Sequence, residues 1–196
     1  MFCIECNKES KHCKQSTLCE FCCKKMDKYE TTSQTYIFVD LILLKRTVFR
    51  HFLLNQKITF TRFLRIFILQ LIIHHIFVDS SFNKTPHLYL KSILLEITYI
   101  LLVNLTLHFK SKMTFYKAIF VILFSSFFNY FKILMVLWDY NRHEYYFIVE
   151  TLNCCSNIVA LKIYEPNQIL IIFTVLISKV VSHLIFKPEI FSILNY

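Results

Sequence analysis

From residue 60 to residue 186 the sequence is a succession of apolar runs separated by short polar breaks. Runs of this kind leave a chain few choices. Inside a bilayer no water can satisfy backbone N–H and C=O groups, so each run must close its hydrogen bonds within a helix. Five stretches qualify, at about 60–78, 88–109, 115–138, 145–163 and 167–186, and each holds 19–24 residues. That length matches the ~20 residues that cross a hydrocarbon core of about 30 Å. The chain is 56% hydrophobic and has no glycine, against about 45–50% apolar and about 7% glycine in soluble domains.

Charge predicts the orientation. Loops rich in Lys and Arg beside a span stay in the cytosol. Residues 1–65 carry 12 basic and 6 acidic side chains, which places the N-terminus in the cytosol. Arg62 and Arg65 hold the start of the first span there. The 79–87 loop then faces the lumen, and Lys110, Lys112 and Lys117 return the chain to the cytosol. "DYNRHE" at 139–144 is lumenal, Lys162 and Glu165 are cytosolic, and the tail after Phe186 ends in the lumen. "MFCIECNKESK" has no apolar core or cleavage site of a signal peptide, so the first span is expected to direct insertion.

Polar residues inside spans are costly and face the bundle interior. Ser125, Asn129 and Lys132 share one stripe of the third span, and Glu150, Cys154 and Asn157 one stripe of the fourth. Lys132 and Glu150 each lie nine residues from Asn141, the centre of the intervening hairpin. An antiparallel helix pair places them at one depth, so they are expected to form an intramembrane ion pair. Glu96 and Lys91 are expected to pair elsewhere. His74 and His75, adjacent on a helix, point apart and make a poor shared metal site. Cys154 and Cys155 read as packing. Asn83-Lys-Thr85 is a glycosylation sequon followed by Pro86, and Asn104-Leu-Thr106 lies inside a span.

The N-terminal segment is different in kind. "CIECNKESKHCKQSTLCEFCC" places six cysteines within 21 residues. Cys3-x-x-Cys6 and Cys19-x-x-Cys22 are two knuckles separated by 12 residues. Four thiolates suit the tetrahedral preference of zinc. A module of about 30 residues with so few apolar side chains needs a metal or disulfides to fold. A cytosolic location is reducing and selects thiolates and metal. The site is expected to be structural, because four thiolates close the coordination sphere. Cys13 and Cys23 read as free thiols, with His12 or Cys13 as a substitute ligand if the linker distorts the site. Six cysteines and one histidine are too few for a RING cross-brace.

Three regions follow: a cytosolic zinc-binding double knuckle at 1–30, an amphipathic interfacial helix at 31–57, and a transmembrane domain at 58–196. The overall class is an all-α multi-span bundle with a small zinc-ribbon-like module. Read as one helix running to Leu54, residues 37–54 put Asp40, Thr47, Arg50 and His51 on a polar side. Ile37, Phe38, Leu41, Ile42, Phe49, Phe52 and Leu53 gather on the other. Such a helix can lie in the membrane interface.

The order "CIEC" at 3–6, "CEFC" at 19–22, "DKYE" at 27–30, "VDLILLK" at 39–45 and "VFRHFLLN" at 48–55 resembles the Arv family. These are membrane proteins named for being required for viability when sterol esterification is lost. The matching motif residues are Asp27, Lys28, Tyr29, Asp40, Arg50, His51 and Asn55. The linker between the knuckles is shorter than is usual in the family. The resemblance implies a multi-pass protein of the endoplasmic reticulum. It would mediate or support sterol transport and distribution and sphingolipid balance. The alternative it implies is an accessory or flippase-like factor for glycosylphosphatidylinositol (GPI) anchor intermediates. Its partners would then be sterol or GPI intermediates and enzyme subunits of that membrane.

Other function classes fare less well. No nucleophile–base pair stands out, and a chain without glycine cannot build a Gly-rich phosphate loop. The reading is therefore not an enzyme. A membrane-anchored nucleic-acid binder would need stacking aromatics clustered beside its lysines. The module offers only Phe2, Phe21 and Tyr29, and the basic excess is accounted for by topology, so nucleic acid is not expected as a partner.

Overall fold

The structure, a computed structural model, describes residues 1–10, 18–57, 59–81, 86–108, 114–138, 143–165 and 167–186. Within its helices the side chains of 74–81, 86–89, 91, 92, 108, 143, 183, 185 and 186 lie outside the description. So do the expectations for His12, Cys13, His74, His75, Lys91, Asn83, Lys110, Lys112 and Asn141. The chain divides into two units, Met1–Phe60 and Thr61–Tyr196.

The first unit begins with the two knuckles. Each is flanked by an isolated antiparallel bridge, Phe2 with Glu9 and Leu18 with Lys25. A 3₁₀ turn at Lys28–Glu30 follows, capped by Asp27. Helix α1 (Gln34–Ile42) and helix α2 (Arg46–Arg50) come next, and α2 winds on through a π turn at His51–Asn55. Ile4, Tyr29 and Val48 form the centre of this unit, with Ile37, Leu41 and Phe52 packed around them.

The single helix expected over 37–54 is broken. Leu44 sits at φ 55°, in the left-handed region. Lys45 N–H donates to Asp40 O at 3.1 Å and Leu44 N–H to Leu41 O at 3.0 Å. This is the paired-bond pattern of a Schellman cap, in which the left-handed residue is usually glycine. A chain without glycine fills the position with leucine, and sequence periodicity gives no warning of the stop. The break also reverses the expected sides. Asp40, Thr47 and His51 turn inward and bond within the unit. Tyr36, Phe38, Val39 and Leu43 of α1 are left exposed instead.

The second unit holds helices α3 (Phe60–Ser81), α4 (Pro86–His108), α5 (Phe115–Ser125), α6 (Phe131–Leu137), α7 (His143–Leu161) and α8 (Gln168–Phe186). A 3₁₀ segment, Ser126–Tyr130, joins α5 to α6. There Ser125 Oγ donates back to Val121 O at 2.8 Å and Ile122 O at 3.2 Å, a contact that tightens or bends a helix. The continuous rod Phe115–Leu137 is long and apolar enough to cross a membrane by length and composition. Ile93–Leu107 and Gln168–Ser182 are shorter apolar stretches.

The second unit carries polar stripes within an apolar interior and is apolar outside as well. Helix α8 buries Thr174, Ser178 and Ser182, at helical spacing, and exposes Phe173, Ile177, Val180 and Leu184. Helix α4 buries Asn104 and exposes Leu90, Leu94, Ile97, Leu101 and Leu105. Small and polar residues let helix backbones approach closely where the surroundings are as apolar as leucine.

The left-handed turn is open to test. Valine at φ near 55° clashes through its branched Cβ, so Leu44→Val should destabilise the first unit by about 1–2 kcal/mol. Leu44→Gly should be neutral or stabilising, because the strain is relieved. Denaturant unfolding of the full chain in detergent, read by protease susceptibility of the first unit, checks the order of the three.

Candidate functional site

The Sγ atoms of Cys3, Cys6, Cys19 and Cys22 all lie within 4.8 Å of one another. Cys3 faces Cys22 at 3.6 Å, and Cys6 faces Cys19 at 3.6 Å. A disulfide would need about 2.05 Å. Bonds of about 2.3 Å to one tetrahedral ion place sulfurs about 3.8 Å apart, so the cluster could hold a metal ion. Its chemistry asks for a cation. Burial pushes the Cys3 thiol up to about 12, where it stays protonated at neutral pH unless a positive charge sits among the sulfurs. Cys19 goes the other way: the backbone N–H of Phe21 brings it down to about 7.

The two knuckles share one backbone plan. Asn7 N–H donates to Cys3 O at 2.9 Å, and Cys23 N–H to Cys19 O at 2.9 Å. Cys3 N–H donates to Lys8 O at 3.0 Å, and Cys19 N–H to Lys24 O at 2.7 Å. Each turn closes on a left-handed residue, Asn7 at φ 61° and Cys23 at φ 56°. Cys23 is exposed. Its place is a backbone position that glycine would fill with less strain. Arg50 braces the first knuckle from behind, donating to Ile4 O at 2.8 Å and Glu5 O at 2.6 Å. That cation would offset part of the negative charge of four thiolates on a bound metal. Lys28 and Lys24 each lie 3.9 Å from Glu5.

The remaining motif residues converge on one buried carboxylate. Asp27 Oδ1 accepts from Tyr29 N at 3.0 Å. Its Oδ2 meets His51 Nδ1 at 2.7 Å and accepts from Asn55 Nδ2 at 2.8 Å. Asn55 also holds both backbone groups of Phe2, N–H and C=O, at 3.0 Å each. The other ring nitrogen of His51 faces Gln56 Nε2 at 2.9 Å. Tyr29 hydroxyl donates to Asp40 at 2.7 Å and lies 2.9 Å from Thr47 Oγ1, while Lys45 reaches Asp40 at 2.6 Å. Burial, with Asp40 beside it, pushes Tyr29 up to about 12. Lys45 and Tyr29 hold Asp40 below its ordinary value. The motif is thus the bolt between the knuckles and the helices.

Asp27 gives a pH prediction. Burial alone would raise its carboxyl, but the bonds from His51 and Asn55 outweigh it, and the group titrates below 3.8. A carboxyl depressed on folding stabilises above its unfolded value, and loses that contribution as pH falls through the folded one. Asp27→Asn should therefore cost about 1.5–3 kcal/mol near neutrality. The gap to wild type should close as pH falls below about 4. Paired denaturation curves of the full chain measure it, and a gap independent of pH would exclude the charged role.

In the second unit the polar stripes meet rung by rung. Ser125 Oγ donates to Asn157 Oδ1 across a short hydrogen bond. Asn153 Nδ2 donates to Asn129 Oδ1 at 2.7 Å, and Lys132 Nζ to Glu150 Oε1 at 2.7 Å. All three pairs are centred on position 141, the register of an antiparallel helix pair. Asn153 takes the middle rung where Cys154 was expected, and Cys154 is half-buried. Two further helices join. Gln70 of α3 accepts from Asn129 at 3.1 Å, and Tyr99 of α4 accepts from Asn157 at 2.8 Å. Lys179 of α8 is the residue that sequence spacing did not reveal. It lies 2.8 Å from Glu150 Oε2 and 3.7 Å from Glu96, and so gives Glu96 its partner. The result is a neutral chain of four charges, Glu96–Lys179–Glu150–Lys132.

Glu150 is the shared acid, so its removal leaves two buried ammonium groups facing each other. Glu150→Ala should destabilise by about 3–5 kcal/mol, and adding Lys132→Ala should restore part of that loss. Thermal unfolding of the single and double variants in detergent checks the sign of the coupling.

The chain matches the family described as the Arv1-like family over residues 2–84 and 70–161. No curated protein and no solved structure matches it. The match covers the cysteine cluster, the Asp27 hub and the rungs of the ladder alike, and it joins a lipid-homeostasis role to a membrane setting: the chain belongs to the Arv1-like family.

Proposed function

We propose that this protein is a multi-span protein of the endoplasmic-reticulum membrane that supports sterol distribution and sphingolipid balance, with its N-terminal module in the cytosol. Family membership carries the lipid-homeostasis part of this reading. The apolar outer surface of the second unit, with polar residues drawn inside, supports the multi-span part. Leu94, Leu101 and Leu105 of α4 and Phe173, Ile177 and Leu184 of α8 face outward, while Asn104, Thr174, Ser178 and Ser182 face inward beside Val103, Ile171 and Val175. Water would favour the opposite arrangement, and lipid favours this one.

Supporting, rather than conducting, is favoured by the ladder. A lipid path along the stripes at 125–132 and 150–157 would need their polar groups turned to a groove. Ser125, Asn129, Lys132, Glu150, Asn153 and Asn157 bond to each other instead. The same observation keeps open the second reading, an accessory subunit for GPI-anchor enzymes. The module's metal is zinc in this proposal. Four thiolates select a soft tetrahedral ion and leave no open position, so the centre is structural and the protein is not an enzyme. Binding worth roughly 10–16 kcal/mol suffices to fold a segment with so small a core.

Two measurements test these readings. Metal analysis of the purified chain should find one zinc per molecule, and Cys22→Ser should lose it together with protease resistance of the module, while membrane insertion persists. Depletion in the native cell should leave sterol in the endoplasmic reticulum with anchor precursors unchanged. Accumulated GPI precursor with normal sterol would move the protein to anchor assembly. No change in either pool would defeat both readings.

A further inference from the structure

Helix α1 buries no residue fully, yet it is apolar on two sides. Its inner side, Ile37 and Leu41, packs on the core of the first unit. At about 100° per residue, Phe38, Ile42, Val39, Leu43 and Tyr36 sweep the opposite arc of about 160°. Of these, Tyr36, Phe38, Val39 and Leu43 are 70%, 56%, 45% and 61% exposed. The one charge on α1, Asp40, does not interrupt this face, because its two oxygens are engaged by Tyr29 and Lys45. The face is therefore uncharged, and it ends against a basic pair, Lys45 and Arg46, both exposed.

We infer that this outer face of α1 lies in the membrane interface, with Phe38, Val39 and Leu43 below the headgroups and Arg46 against anionic lipid. The inference rests on the proposal that the second unit is membrane-embedded. Three observations select lipid as the occupant. With Lys45 paired to Asp40, Arg46 carries the net positive charge at this end of the face and matches an anionic leaflet, worth about 1 kcal/mol near the surface. Tyr36, at one edge of the face, is a residue type that settles at headgroup level. The π turn ending at Asn55 is followed by only four residues before α3 begins at Phe60, so the module is tethered to whatever α3 enters. An apolar helical face of this width beside basic residues is the pattern of an interfacial helix. It differs from the face that sequence periodicity picks out, since the polar side chains are used up inside the module.

The chain's single tryptophan, Trp138, makes a direct test. The full chain is reconstituted in phosphatidylcholine–phosphatidylserine vesicles containing lipids brominated near the headgroup end of the acyl chains. In Trp138→Phe/Val39→Trp the only tryptophan then reports α1. Its emission is expected to be blue-shifted, quenched by bromine and shielded from iodide. Adding Tyr36→Asn and Leu43→Asn, both at exposed positions, should lower bromine quenching several-fold while the metal is retained. Iodide quenching without bromine quenching would place the face in water and overturn the inference. Quenching by neither would put protein over the face and overturn it equally. The unmodified chain separates the two levels: if Trp138 itself escapes bromine, the membrane reading of the second unit fails; if Trp138 is quenched and position 39 is not, only the placement of α1 fails.

Discussion

One buried carboxylate joins the parts of the first unit. Asp27 caps the turn that carries Tyr29, holds His51 by its ring and Asn55 by its amide, and through Asn55 reaches the backbone of Phe2 beside Cys3, the first cysteine of the cluster. Removing water from a carboxylate costs several kcal/mol unless its lone pairs are filled. Here three donors fill them: the backbone of Tyr29 in the 3₁₀ turn, and His51 and Asn55 from the two ends of the π turn. The knuckles, the 3₁₀ turn and the π turn are therefore held at mutually fixed positions by an acid that none of them could bury alone. A metal at the four sulfurs would close one end of this frame, and Arg50 on the knuckle carbonyls closes the other.

The second unit solves the corresponding problem with neutral pairs and a balanced set of charges. Gln70, Tyr99, Asn129, Asn157, Glu96, Glu150 and Lys179 find partners across α3, α4, α7 and α8 and the 3₁₀ segment. Lys132 and Lys179 also lie over the rings of Tyr146 and Tyr99, at 5.1 and 4.8 Å, an arrangement that favours a cation in apolar surroundings. Such a core gives direction and register to helices whose outer surfaces are interchangeable hydrocarbon. Leucine against leucine packs in many ways, whereas Asn129 against Asn153 and Gln70 packs in few.

How much of this was legible in the sequence follows from what kind of signal each part leaves. The clustering of Cys3, Cys6, Cys19 and Cys22 is legible because C-x-x-C is a local turn geometry. Helix positions are legible because apolar runs have length, and the Lys132–Glu150 depth because antiparallel register is arithmetic about Asn141. The stop at Leu44 was not, since the usual marker of a left-handed cap is a glycine and this chain has none. The inward turn of Asp40, Thr47 and His51 was not either. A helical wheel assigns polar residues to solvent and cannot know that Tyr29 and Asp27, from an earlier turn, await them. Lys179 escaped because its two partners lie on helices remote from it in sequence, with no shared hairpin to fix the register.

The ladder between the 115–137 rod and α7 bears on how the chain is made. Lys132 arrives in the nascent chain 18 residues before Glu150, the acid that neutralises it. Each alone is a poor passenger for hydrocarbon; together, with the Ser125–Asn157 and Asn129–Asn153 rungs zipped, they are close to neutral. Lys179 comes later still and completes the charge balance. The four charges are made in the order Glu96, Lys132, Glu150 and Lys179, so the acid made first is matched by the lysine made last, while the two between them match each other.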